Sequence, residues 1–176
     1  QVFAKDLVLT LINKIGVKGA TNAVLEFGGP VIEAMSMEAR MTLTNMAVEA
    51  GATSGMIMVD KTTINYLWPV IKDQYKSKEE ALAQLSKWNS DAGSQYAETI
   101  EIDAAQMEPV ITQNYSPGDV VAVKKIAGKK IDQVYIGSCT NGRLEDLRIA
   151  AHIWKGKKAA VRTVVVPATP SVWKKA

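Results

Sequence analysis

Leu7, Val8, Leu11, Ile12 and Ile15 recur at the spacing of one helix face, and Gly16 follows where such a helix would be capped. The short apolar run from Asn22 to Phe27 ends at Gly28-Gly29-Pro30, which predicts a strand leading into a turn. Ser36 is suited to an N-cap, and Glu38 sits favourably in the first turn beyond it. The helix opened there is expected to run to about Ala50, where Gly51 stops it. Gly55 to Val59 reads as a buried strand, and Asp60 is placed to cap a short helix from Lys61. Strand, helix and strand in that order predict a parallel βαβ unit.

Ser77 to Trp88 reads as an amphipathic helix with Ala81, Leu82, Leu85 and Trp88 on one side. Thr99, Ile100, Glu101 and Ile102 alternate polar and apolar, the pattern of a half-exposed strand. Between Met107 and Asp119 the turn-forming residues Pro109, Asn114, Ser116, Pro117 and Gly118 mark a linker between two structural units. Beyond it, Gln133 to Gly137 is expected as a strand, Arg143 to Trp154 as a helix and Ala160 to Val166 as a second strand stopped by Pro167. This is a βαβ unit with a right-handed crossover. Its connecting loop, Gly137 to Gly142, lies at the carboxyl end of the first strand, the edge at which open α/β sheets bind ligands.

Composition narrows the class. The 176 residues are 47% hydrophobic and 22% charged with a net charge of +3, the balance of a globular protein able to bury a core. That charge is too small to call for a nucleic-acid or membrane partner, and the short lysine runs read as solvated surface. The single cysteine, Cys139, excludes an internal disulfide, and with the single histidine, His152, it excludes a self-contained Cys/His zinc site. The longest apolar stretches fall well short of the roughly 20 residues that span a bilayer. Charges interrupt the opening residues where a signal peptide would be apolar, so a cytoplasmic location is expected.

Two constellations could carry chemistry. Cys139 lies among small polar residues at the mouth of a helix, whose amides and dipole favour a thiolate. It reads either as a metal ligand or nucleophile, or as a small residue at a tight turn. His152 lies about three turns down the following helix, too far to act as its base. Asn45 and Glu49 are four residues apart and share a helix face. A carboxylate there is either an active-site acid or base or an exposed stripe residue, while Glu38 and Arg40 serve the solvated start of the same helix. The glycine turns match neither a dinucleotide fingerprint nor a P-loop.

Three longer blocks resemble a known family. The run Val134-Tyr135-Ile136-Gly137-Ser138-Cys139-Thr140-Asn141-Gly142-Arg143-Leu144-Glu145-Asp146-Leu147 is similar to the first cluster-cysteine motif of the aconitase family, in its isopropylmalate dehydratase and homoaconitase branch. Ile32 through Ala52 is a second match, and Ser90-Asp91-Ala92-Gly93 through Ile102-Asp103 to Pro109 a third, so the resemblance covers essentially the whole chain. It implies a hydro-lyase acting on a small-molecule 2-hydroxy acid at a 4Fe-4S cluster held by three cysteines, with one iron open as a Lewis acid. In this branch the reaction interconverts 2-isopropylmalate and 3-isopropylmalate, a step of leucine biosynthesis. Cys139 matches the first cluster ligand and Asn45 a second-sphere amide. Glu49 matches an active-site carboxylate that meets the oxygen at the open iron. Thr140, Asn141 and Arg143 take a supporting part in cofactor binding.

The resemblance also carries expectations about what surrounds the chain. The family's other two cluster cysteines come from a Cys-x-x-Cys pair, absent from this sequence, and a small subunit completes the active site. The chain is therefore expected to be a middle piece of a large subunit, inactive and without a cluster by itself. The fold expected is α/β, a three-layer α/β/α aconitase-like domain over residues 1–116 followed over 117–176 by the opening βαβ of a cluster-bearing domain. The alternatives are a homoaconitate or aconitate hydratase, with the same chemistry and another pocket, and a non-catalytic thiol-dependent binding module.

Overall fold

The computed structural model describes residues 2–176, which form two compact units divided after Val121. The first opens with helix α1 (Ala4–Ile15), whose inward face of Val8, Leu11 and Ile12 is buried and whose end is closed by Gly16. Strand β1 (Val24–Phe27) leads through Gly28-Gly29 into the single-turn helix α2 (Pro30–Glu33) and then α3 (Met37–Met46). Ser36 caps α3, its Oγ accepting the Ala39 N–H at 3.1 Å. Strand β2 (Ser54–Ile57) pairs in parallel with β1, Val24 opposite Ser54 and Phe27 opposite Ile57. The predicted βαβ unit is present.

Helix α3 does not continue as α-helix to Ala50. It tightens into a 3-10 turn over Ala47–Ala50, and Gly51 closes it in the left-handed region at φ +83. Tightening a last turn satisfies carbonyls that an ideal helix end leaves bare. Buried Leu43, Met46, Ala47 and Ala50 join α1 in the core. Gly55 fixes the approach of β2 to this helix. A Cβ there would lie 2.8 Å from both the Thr44 Cα and the Ala47 Cβ.

Helix α4 (Lys61–Ile71) is capped by Asp60 as expected and runs for eleven residues. Helix α5 (Lys78–Leu85) is capped by Ser77 and buries Ala81. Trp88, expected on its buried side, is 82% exposed because a 3-10 turn over Ser86–Trp88 breaks the helical phase. The stretch expected as a linker holds strand β3 (Val110–Thr112), which pairs with β4 (Val120–Ala122). The two units do divide just beyond this stretch, after Val121, and its first strand is held by Asp6. Its buried carboxylate accepts the Val110 N–H at 2.9 Å and the Phe3 N–H at 2.8 Å, tying this segment to the start of α1.

The second unit is a smaller βαβ. Strand β5 (Gln133–Gly137), helix α6 (Leu144–Trp154) and strand β6 (Arg162–Val166) follow in order, with β5 and β6 parallel and Gly137 opposite Val166. A short helix α7 (Pro170–Lys175) follows, capped by the Thr169 hydroxyl. Leu147 is the buried anchor of α6, whereas Tyr135, Val165 and Trp173 are exposed.

Candidate functional site

The loop that carries Cys139 is built by close backbone contact. Gly137 ends β5 at φ +153, and a Cβ there would stand 2.4 Å from the Val166 carbonyl oxygen. At Gly142 a Cβ would meet the Ser138 oxygen at 2.7 Å and the Val166 oxygen at 2.9 Å. Both positions therefore require glycine. Gly142 C=O in turn accepts the Ala168 N–H at 2.8 Å, so the loop is fastened to the chain leaving β6.

Within the loop Ser138 adopts φ +114, a conformation that L side chains avoid. Its Oγ accepts the N–H groups of Thr140 and Asn141, each at 3.2 Å, which folds the turn around the hydroxyl. Cys139 stands outward and exposed at the crest, its Sγ 3.8 Å from the Thr140 hydroxyl, while Thr140 is buried. Asp146 closes the arrangement from the first turn of α6. One carboxylate oxygen accepts the Arg143 N–H at 3.0 Å and the other the Asn141 side-chain amide at 3.0 Å. The structure thus brings Cys139, Thr140, Asn141 and Arg143 together in one turn at a helix N-terminus, where exposed amides and the dipole favour negative charge. His152 lies in the last turn of that helix, about 12 Å along its axis from Leu144 at 1.5 Å per residue.

Asn45 and Glu49 form a second group, in the first unit. Both are exposed, on one side of the junction where α3 tightens into its 3-10 turn, and Val48 between them is 63% exposed. This face lies at the amino end of β2, whereas the cysteine turn lies at the carboxyl end of β5.

Two further features lie outside the sequence-predicted site residues. Arg40 is not at a solvated helix start. It is 2% exposed and holds Asp60 through two hydrogen bonds, at 2.8 and 2.7 Å, while its Nη2 also donates to the Glu33 carbonyl. The Arg40 guanidinium, helped by the Thr63 N–H, holds the Asp60 carboxyl at about 2. Asp146 is the second, and its place three residues after the N-cap Arg143 is the capping-box spacing that marks it in the sequence. Among the described residues no group of three or more His, Cys, Asp and Glu side chains could hold a metal ion.

Residues 1–176, the full chain, match the sequence profile of the aconitase family, described as aconitate hydratase. The chain belongs to the aconitase family. It is 55% identical over 177 residues to the 3-isopropylmalate dehydratase large subunit of Geobacter metallireducens, covering 99% of this chain and 42% of that relative. The large subunit from Geobacter sulfurreducens is 54% identical with the same coverage. The 3-isopropylmalate dehydratase large subunit 1 of Pyrococcus abyssi is 46% identical over 179 residues, covering 99% of this chain and 40% of that protein. The chain thus spans about two fifths of the length of the curated relatives it matches. The mixed helices and small parallel sheets agree with an α/β aconitase-like fold.

Proposed function

We propose that these residues are part of the large subunit of a hydro-lyase that interconverts 2-isopropylmalate and 3-isopropylmalate by removing and re-adding water. One observation carries the reading: sequence identity of 55% with a protein of that name over 99% of this chain, a span that includes both candidate groups. Residues 1–116 are then most of an aconitase-like domain, and 117–176 open the cluster-bearing domain. The small subunit is the partner, leucine biosynthesis the setting, and the cytoplasm the compartment. No described helix is long and apolar enough to cross a membrane.

In this reading Glu49 takes and returns a proton at its exposed carboxylate, and Asn45, one turn earlier on the same face, orients what binds there. Cys139 supplies a thiolate, with Thr140, Asn141 and Arg143 shaping the turn that presents it. A 4Fe-4S cluster, when bound, supplies a Lewis acid for the substrate hydroxyl and carboxylate. The exposed thiol on a glycine-bounded turn suits one cluster ligand, and the described residues offer only that one. The donor set does not fit a cluster by itself, so we propose that the 176 residues alone are inactive.

The test is a full-length protein carrying these residues, reconstituted anaerobically with iron and sulfide and mixed with its small subunit. Conversion of 2-isopropylmalate to 3-isopropylmalate, lost in Cys139→Ser and in Glu49→Gln, is the expected result. Turnover of homoaconitate or citrate without isopropylmalate would move the protein to another branch of the family.

A further inference from the structure

The net charge of +3 is unevenly spread. The second unit, residues 122–176, holds 12 lysines and arginines against 3 acids, whereas residues 1–121 hold 9 against 15, so the units carry +9 and −6. Within the second unit the parallel pairing of β5 and β6 brings the amino ends of both strands and the carboxyl end of α6 to one edge. Six cations stand along it: Lys129 and Lys130 before β5, Lys155, Lys157 and Lys158 after α6, and Arg162 at the first position of β6, opposite Gln133. All six are exposed, and among the described residues none makes a salt bridge or a side-chain hydrogen bond. Of the three acids, Glu145 and Asp146 lie in the first turn of α6, at the other edge with Cys139, and Asp132 alone stays near the cations. Like charges gathered in this way repel, and the fold does not call for them. A helix carboxyl end attracts cations to its last turn, but the basic residue there is His152, and strand ends have no comparable dipole. Ile131, 54% exposed, and Ile153, 59% exposed, lie at the same edge and add aliphatic surface to it.

We infer that this edge docks a segment of another protein that carries carboxylates interspersed with aliphatic side chains. Charge complementarity selects the acid, since a concentrated positive face draws an oppositely charged partner and speeds its arrival. The two isoleucines select a polypeptide over a nucleic acid, whose contacts with protein run through phosphates, base edges and stacking on aromatic rings. Lysine at five of the six positions agrees, because the planar fork of arginine is the group that matches phosphate best. The edge is also separate from the turn that bears Cys139. The five residues of β5 stand between them, about 16 Å at roughly 3.3 Å per residue. The inference goes beyond the catalytic reading and does not depend on it.

The test is fluorescence anisotropy at low ionic strength, with a full-length protein carrying these residues and a labelled peptide of glutamate and leucine, about 18 residues or five helical turns long. Combining Lys155→Gln, Lys157→Gln and Lys158→Gln should weaken binding about tenfold, and Ile153→Ser alone about threefold. All four positions are exposed, so the variants should keep the parent's unfolding midpoint. Lys174→Gln with Lys175→Gln, on α7 beyond the carboxyl end of β6, should change binding by less than about twofold. Peptide binding that ignores the triple change overturns the inference. Polyglutamate of equal charge that binds as tightly as the peptide also overturns it, because charge alone then suffices. Single-stranded DNA of equal charge that binds more tightly than the peptide overturns it in favour of a nucleic-acid surface.

Discussion

Arg40 grips both carboxylate oxygens of Asp60, across twenty residues of chain, at 2.8 and 2.7 Å. The same Asp60 caps α4 by accepting the Thr63 N–H at 3.0 Å, so one carboxylate joins the start of α4 to the buried face of α3. Removing it strands a charge that is 2% exposed. We expect Asp60→Ala to destabilise the first unit by about 2 kcal/mol, below the roughly 3–5 kcal/mol of a fully buried pair because Asp60 itself is 37% exposed. Urea unfolding of the variant against the parent measures the loss. Arg40→Met, which removes the charge and keeps the packing, should cost less.

Acid should attack the same contact. A carboxyl that titrates at about 2 when folded and near 3.8 when free contributes stability that is complete above pH 3.8 and is lost as pH falls toward 2. The urea midpoint should drop through that window in the parent and change less in Asp60→Asn. Equal slopes in the two proteins would show that other groups govern the acid transition.

Glu49 and Asn45 should separate stability from activity. Both are exposed where α3 passes into its 3-10 turn, so Glu49→Gln and Asn45→Ala should leave the unfolding free energy within the roughly 0.5 kcal/mol usual for surface changes. In the full-length enzyme with its small subunit, Glu49→Gln should lower turnover at least about 100-fold, the scale of a lost general acid or base.

The cysteine turn should be sensitive to a single methyl group. Gly142→Ala would place carbon 2.7 Å from the Ser138 oxygen, and backbone must yield on both sides. We expect a loss of about 1–3 kcal/mol in the second unit and a changed rate of Cys139 alkylation by iodoacetamide. Asp146→Ala should cost about 1 kcal/mol through the lost cap and alter the same rate, without any change in chain packing at Val166.

Iron and sulfide supplied anaerobically to the 176-residue chain should give no stoichiometric cluster absorbance. The reason is the donor count, one thiolate at Cys139. A stoichiometric band that Cys139→Ser abolished would contradict this, and would point to ligands shared between copies.

Local signals were the legible ones. Ser36, Asp60 and Ser77 cap the helices they precede, and Gly16 and Gly51 close the ones they follow, because each acts within a few residues of itself. The strand at Gln133–Gly137 and the turn bearing Cys139 were readable for the same reason. Partners far along the chain were not. Asp6 meets Val110 at a separation of 104 residues and Glu26 meets Ser90 at 64, and no pattern in either neighbourhood announces the other. Arg40 looked like solvated helix surface because only the folded chain brings Asp60 to it. Thr99 to Ile102 shows the converse case, a strand pattern that nothing among the described residues completes. For the candidate site, the residue types are legible in long motifs and Asp146 in its capping-box spacing, while the close approach of Gly137 and Gly142 to Val166 exists only in the folded chain.

Gly55 sets a dimension. Because β2 touches α3 through main-chain atoms at Thr44, the distance from the sheet to the end of that helix is not adjustable by repacking side chains. The helix works as a strut whose standoff is fixed by contact between main-chain atoms, with Asn45 and Glu49 mounted at its tip. Core residues on α3 can drift among Leu, Met and Val without moving that tip. One added methyl group at Gly55 would lift the whole strut, and with it the reach of both side chains, by a fraction of an ångström that no rotamer change at the tip could undo.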